Sequence, residues 1–142
     1  LKGQIATLLG GRSAEEIVFG KVTTGAANDL QRATDLAEQM VGTYGMSEIL
    51  GPLAYDKQGG GAFLGGNNNP RRVVSDATAQ AIDKEVRSLV DFAHENALKI
   101  LRHNLPLLEN ISQQILQKEV IEGDQLKEML DQTTMPKEII SV

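Results

Sequence analysis

The sequence predicts a mainly α-helical protein: a bundle of about five helices, with a small β-hairpin or irregular loop in residues 53–65. Three observations lead there. Apolar residues recur at steps of three and four through most of the chain, the period of one buried helical face. Start and stop signals for helices fall between those runs. Aromatic residues are only 4% of the 142, so the core must be built from Leu, Ile, Val and Ala, a composition suited to helices packed on helices.

The first segment carries Ile5, Leu8, Leu9, Ile17 and Val18 at helical spacing, with Gly10-Gly11 in its middle. Two adjacent glycines cost about 1 kcal/mol each against alanine. Either the helix breaks there into two short ones, or another backbone packs close where only glycine fits. A loop over Lys21 to Gly25 precedes a second helix, with Leu30, Ala33, Ala37, Met40, Val41 and Tyr44 forming its stripe. Thr23 or Thr24 is placed to cap its start, and Gly45 to stop it. Periodicity lapses over residues 46–74, where Leu53-Ala54-Tyr55 and Ala62-Phe63-Leu64 are candidate short strands. The run from Gly59 to Asn69, mostly Gly and Asn, has the composition of a mobile surface loop.

Ser75 caps a long third helix with Ile82, Val86, Leu89, Ala93, Ala97, Ile100 and Leu101 on one face. Asn104-Leu105-Pro106 ends it, since proline restricts its predecessor and begins helices well. A fourth helix follows, with Leu107, Leu108, Ile111, Ile115 and Leu116 expected to be buried in an antiparallel hairpin with the third. Gly123-Asp124 opens a short last helix with Leu126, Met129 and Leu130. The expected division is one helical domain over residues 1–131 and a disordered tail over 132–142.

Composition removes several classes of function. Hydrophobic residues make up 41%, the level of a folded domain. Net charge is −5 and no Lys/Arg cluster exceeds the Arg71–Arg72 pair, so the basic footprint of a nucleic-acid partner is missing. No cysteine is present, which excludes disulfides and thiolate metal sites. No apolar run is long enough to span a bilayer, so a soluble fragment is expected. The chain opens at Leu1-Lys2-Gly3, in mid-pattern and without Met, as an excised fragment would.

The glycine-rich stretch lacks the Gly-Lys-Ser/Thr of a phosphate-binding loop. His94 and His103 lie on the same predicted helix, nine residues apart and therefore on opposite sides, so they cannot share a metal. Both read as surface or partly buried histidines. There is no H-E-x-x-H, no G-x-S-x-G and no cysteine nucleophile. Among the acids, Glu15-Glu16 follow Arg12 on the first helix, and Asp29 falls in the first turn of the second. A first-turn Asp is stabilised by the exposed helix N–H groups without any ligand. The helical wheel places it at the edge of the apolar stripe, which permits metal binding without requiring it.

The run Leu8-Leu9-Gly10-Gly11-Arg12-Ser13-Ala14-Glu15-Glu16-Ile17-Val18-Phe19-Gly20 resembles a stretch of the peptidase domain of the FtsH family. These are ATP-dependent, membrane-anchored zinc metalloproteases. Thr24-Gly25-Ala26-Ala27-Asn28-Asp29-Leu30 is similar to a second family signature. Gly45-Met46-Ser47-Glu48 with Leu50-Gly51-Pro52, and then Phe63-Leu64-Gly65, resemble a third and fourth. The order and spacing hold over about residues 1–131.

The resemblance implies that Asp29 is the third zinc ligand, beside two histidines of an H-E-x-x-H helix. Histidines at i and i+4 bind the metal, the glutamate between them is the general base, and one position stays open for water. Glu15 is the implied candidate for orienting a ligating imidazole through its free N–H; a salt bridge or a solvated helix carboxylate is the alternative. H-E-x-x-H itself, and the ATPase module that would bind ATP and Mg, are absent from these residues. The parent protein implied is a ring-shaped hexamer, homo- or heteromeric, that degrades membrane and soluble proteins. It would be held to the membrane by an N-terminal anchor, with its peptidase in the cytoplasm or in an organelle's stroma or matrix. The fragment alone is expected to be inactive. A non-catalytic helical assembly module, from a family member that has lost H-E-x-x-H, is the alternative.

Overall fold

Ile5, Leu9 and Ser13, at four-residue steps, are the buried line of the first helix, α1 (Lys2–Phe19). In the computed structural model, which describes residues 1–55, 74–137 and 139, α1 packs against α2 (Ala27–Glu38) and most extensively against α3 (Asp76–His103). The core joins Ile5 and Leu9 to Ala33, Ala37, Met40, Val41, Val86 and Ala93. Ser13 is the one buried hydroxyl of that line, and it donates back to the Leu9 carbonyl at 2.8 Å.

Neither expectation for Gly10-Gly11 holds. α1 runs unbroken through both, and a Cβ at either would meet nothing within 4 Å among the described residues. Burial of Ile5 and Leu9 holds the helix together against the glycines' low propensity. α1 stops at Gly20, whose φ of +65° is the left-handed cap glycine favours, its N–H donating to the Glu16 carbonyl at 3.0 Å.

A 3₁₀ turn (Thr24–Ala26) leads into α2, whose start carries no side-chain cap, so the expected threonine cap is not made. α2 passes into a π-helical turn (Gln39–Thr43), and Gly45 ends the segment at φ +60°. The wider turn shifts the helical phase. Met40, Val41 and Gly42 are consecutively buried, while Tyr44, expected on the stripe, is half exposed.

Residues 46–55 fold back over that end. Tyr55 donates its N–H to the Gly42 carbonyl at 2.7 Å and its hydroxyl to the Leu50 carbonyl at 3.0 Å. Leu53–Tyr55 is irregular rather than a strand, and the second candidate strand, 62–64, lies outside the described residues. Ser75 caps α3 as expected, its hydroxyl oxygen accepting from the Thr78 N–H at 3.2 Å.

The fourth helix, α4 (Leu105–Lys118), corrects the expected hairpin. It has no buried residue, Ile115 is 46% exposed and Leu116 82%, and its contact with α3 is slight. Only Asn104 joins the two helices. Bundle connections usually take about 2–8 residues, and one is too few to reverse the chain at packing distance. α4 makes no extensive contact with α5 (Gly123–Leu130) either, and only side-chain bonds tie this end of the chain together among the described residues. Gln125 donates to Gln114 at 3.0 Å, and Asn104 bonds both the carbonyl and the N–H of Thr134, at 2.8 and 2.9 Å. Among the described residues no helix is long and apolar enough to cross a membrane.

Candidate metal centre

Three elements carry the candidate residues, and adjacent carboxylates on α1 turn to different neighbours. Glu15 turns towards the loop before α2. Its carboxylate accepts the Thr23 N–H at 2.7 Å and the Thr23 hydroxyl at 3.0 Å. Glu16 turns towards α3 and meets His94, with Oε2 at 3.0 Å from Nε2. Both side chains of that pair are partly buried, at 27% exposure for His94 and 39% for Glu16. A helix residue points about 100° away from its predecessor, which lets one dipeptide serve two partners.

Asp29 sits in the first turn of α2 with its side chain 44% exposed. Arg32, one turn on, places a guanidinium nitrogen 3.7 Å from Oδ1, an ion pair too long to be a hydrogen bond. The carboxylate is thus accessible, and no short bond consumes its lone pairs among the described residues. A carboxylate oxygen in that condition fits a zinc ligand.

The remaining donors are not supplied here. No three His, Cys, Asp or Glu side chains come together to hold a metal among the described residues. His94 is engaged with Glu16, and His103 is exposed at the far end of α3. His94 is thus partly buried and His103 at the surface, the environments the sequence reading gave them. Two grooves of about 440 and 580 Å³ flank α3, and neither is lined by Asp29 or Glu15.

Sequence reasoning missed the Thr23–Glu15 and Glu16–His94 contacts. Thr23 carried a misleading signal, since a threonine just ahead of a helix reads as its cap. Glu16 and His94 are separated by 78 positions, beyond the reach of any local periodicity.

The sequence profile described as peptidase family M41 matches residues 1–129. The chain is 63% identical over 141 residues to a protein of Synechocystis sp. called ATP-dependent zinc metalloprotease FtsH 4, covering 99% of this chain and 22% of that protein. It is 50% identical over 139 residues to ATP-dependent zinc metalloprotease FtsH of Acaryochloris marina, covering 98% of this chain and 21% of the relative. Against the Bacillus subtilis protein of the same name identity is 46% over 138 residues, covering 96% and 22%. The chain thus spans about a fifth of the length of the curated relatives it matches.

Proposed function

The chain belongs to peptidase family M41, and from that premise we propose that it is the helical part of the peptidase domain of an ATP-dependent zinc endopeptidase, with Asp29 as one protein ligand of the metal. The observation that carries this reading is identity of 63% sustained over 99% of the chain to a zinc metalloprotease. The geometry supports it through the accessible Asp29 carboxylate, rooted in a helix whose other face is core.

The other ligands, two histidines of an H-E-x-x-H helix, and the glutamate base between them would come from outside these 142 residues, which contain no such motif. Zinc, when bound, lowers the pKa of a coordinated water to about 7, so that it can attack a peptide carbonyl at neutral pH. Asp29 would hold one coordination position from the start of α2. Arg32 would bias that carboxylate's orientation, competing weakly for its charge from an exposed position. Glu15 would retain lone pairs beyond those used by Thr23, and so could accept the free N–H of a ligating imidazole. The whole protein would use ATP and Mg in a separate module, assemble as a hexamer, and take membrane and soluble proteins as substrates.

The test is Asp29→Asn in the intact protein. Loss of proteolysis with ATP hydrolysis retained is expected. Full proteolysis would remove Asp29 from the ligand set.

A further inference from the structure

We infer that Thr23 is a positioning residue for Asp29: held at both its amide and its hydroxyl by the Glu15 carboxylate, it fixes where the helical segment bearing Asp29 begins. This rests on the reading of Asp29 as a metal ligand.

The loop between α1 and α2 has little else to hold it. Gly20, Lys21, Thr23, Thr24 and Gly25 are exposed, Val22 is half-buried, and full burial resumes at Ala26. Against that exposed background Thr23 makes two bonds to one carboxylate eight residues earlier, the amide bond at 2.7 Å being of charge-assisted length. The hydroxyl is withdrawn from its usual task. Thr23 is the residue ahead of the 3₁₀ turn, yet its hydroxyl accepts no N–H from that turn, and the start of α2 has no side-chain cap either. A cap would steady the helix end against itself. The bond to Glu15 ties that end to α1.

From Thr24 the backbone is continuously helical through the 3₁₀ turn into α2. Asp29 stands six residues beyond Thr23, about 10 Å along such a rod. A shift at Thr23 is therefore passed along a stiff element rather than absorbed. Asp29 has no short bond of its own among the described residues, so the placement of its carboxylate depends on that of its backbone. Metal sites are sensitive to such support, because a ligand displaced from the productive geometry weakens the whole set.

The experiment uses the full-length protein with Thr23→Val, Thr23→Ser, Glu15→Ala and the Thr23→Val/Glu15→Ala double variant. It reads amide hydrogen exchange over residues 21–30 in the metal-free state and zinc affinity by competition with a chelator. Thr23→Val and Glu15→Ala should speed exchange in the loop and the first turn of α2, leave Ala33–Val41 protected, and weaken zinc binding about 10-fold, the low end for lost outer-shell support. Thr23→Ser should restore both readings, and the double variant should bind zinc no worse than Glu15→Ala. Thr23→Val matters because it spares any bond Glu15 makes to an imidazole. Thr23→Val removes the hydroxyl bond and Glu15→Ala removes both. Unchanged exchange in Glu15→Ala would therefore overturn the tether, unchanged exchange in Thr23→Val alone would overturn the hydroxyl's part in it, and faster exchange with unchanged zinc affinity would overturn its positioning role. Asp29→Asn is measured alongside. If it binds zinc normally the ligand reading fails and takes this inference with it, whereas if it alone weakens binding only the role of Thr23 fails.

Discussion

Glycine-to-alanine replacements at positions 10, 20 and 45 should change stability with different signs, because the same methyl meets three different environments. At Gly10 the backbone is helical and a Cβ meets nothing within 4 Å among the described residues. Alanine there should stabilise by about 1 kcal/mol through helix propensity. Gly20 also has open space, but its φ of +65° costs an L-residue about 1–2 kcal/mol. Alanine's smaller loss of chain entropy returns about 0.4–1 kcal/mol of that, so Gly20→Ala should destabilise by about 0.5–1 kcal/mol. Gly45 adds a steric term to a similar φ of +60°, since a Cβ would lie 3.1 Å from Leu53 N and 3.2 Å from Leu53 O and Pro52 C. Those are backbone atoms of the segment bonded through Tyr55 to Gly42, so they do not yield as a side-chain tip would. Overpacking of this kind costs about 1–3 kcal/mol, bringing Gly45→Ala to about 2–4 kcal/mol destabilising. Urea denaturation of the 142-residue chain, followed by far-UV circular dichroism, would give the three midpoints at constant m-value. A stabilised Gly45→Ala, or a Gly10→Ala as damaging as Gly45→Ala, would overturn this ordering of the three sites.

Three further outcomes are expected. Ile5→Ala, at a site with 0% exposure, should cost about 2–5 kcal/mol by the same denaturation. Leu116→Ala, at 82% exposure, should stay within about 0.5 kcal/mol. Glu119, the only non-glycine residue with positive φ among those described, ends α4 at φ 60°. Glu119→Gly should raise the melting temperature, consistent with relief of about 0.5–1 kcal/mol at a left-handed cap.

The three packed helices were legible because burial imposes its period on them. Ala33, Ala37, Val86 and Ala93 lie in the core their spacing indicated. The errors have local causes. Gly10-Gly11 read as a break because propensity is visible in sequence and the packing that overrides it is not. Tyr44 left its stripe because a π-helical turn changes the period within one helix. Leu116 read as buried because α4 has an apolar face whatever that face meets in this chain. At the candidate site, spacing alone allowed Asp29 as a ligand without selecting it, and the ordered motifs supplied the selection. Thr23 and His94 act through partners on other elements, and neither contact leaves a mark in the local pattern.

The alanines at the centre of this fold have a consequence for which substitutions it can survive. Ala33, Ala37, Ala93 and Ala97 are all at least 95% hidden, and none has more than a methyl to surrender. Truncation there removes almost no volume, so these positions are hard to hollow out. They are easy to wedge. A valine or leucine at Ala37 would need room that only a change in helix spacing provides, and α2 would be levered off α1 and α3 together with its first turn. Damage to the carboxylate at position 29 can therefore start two turns away, from a side chain that is too large.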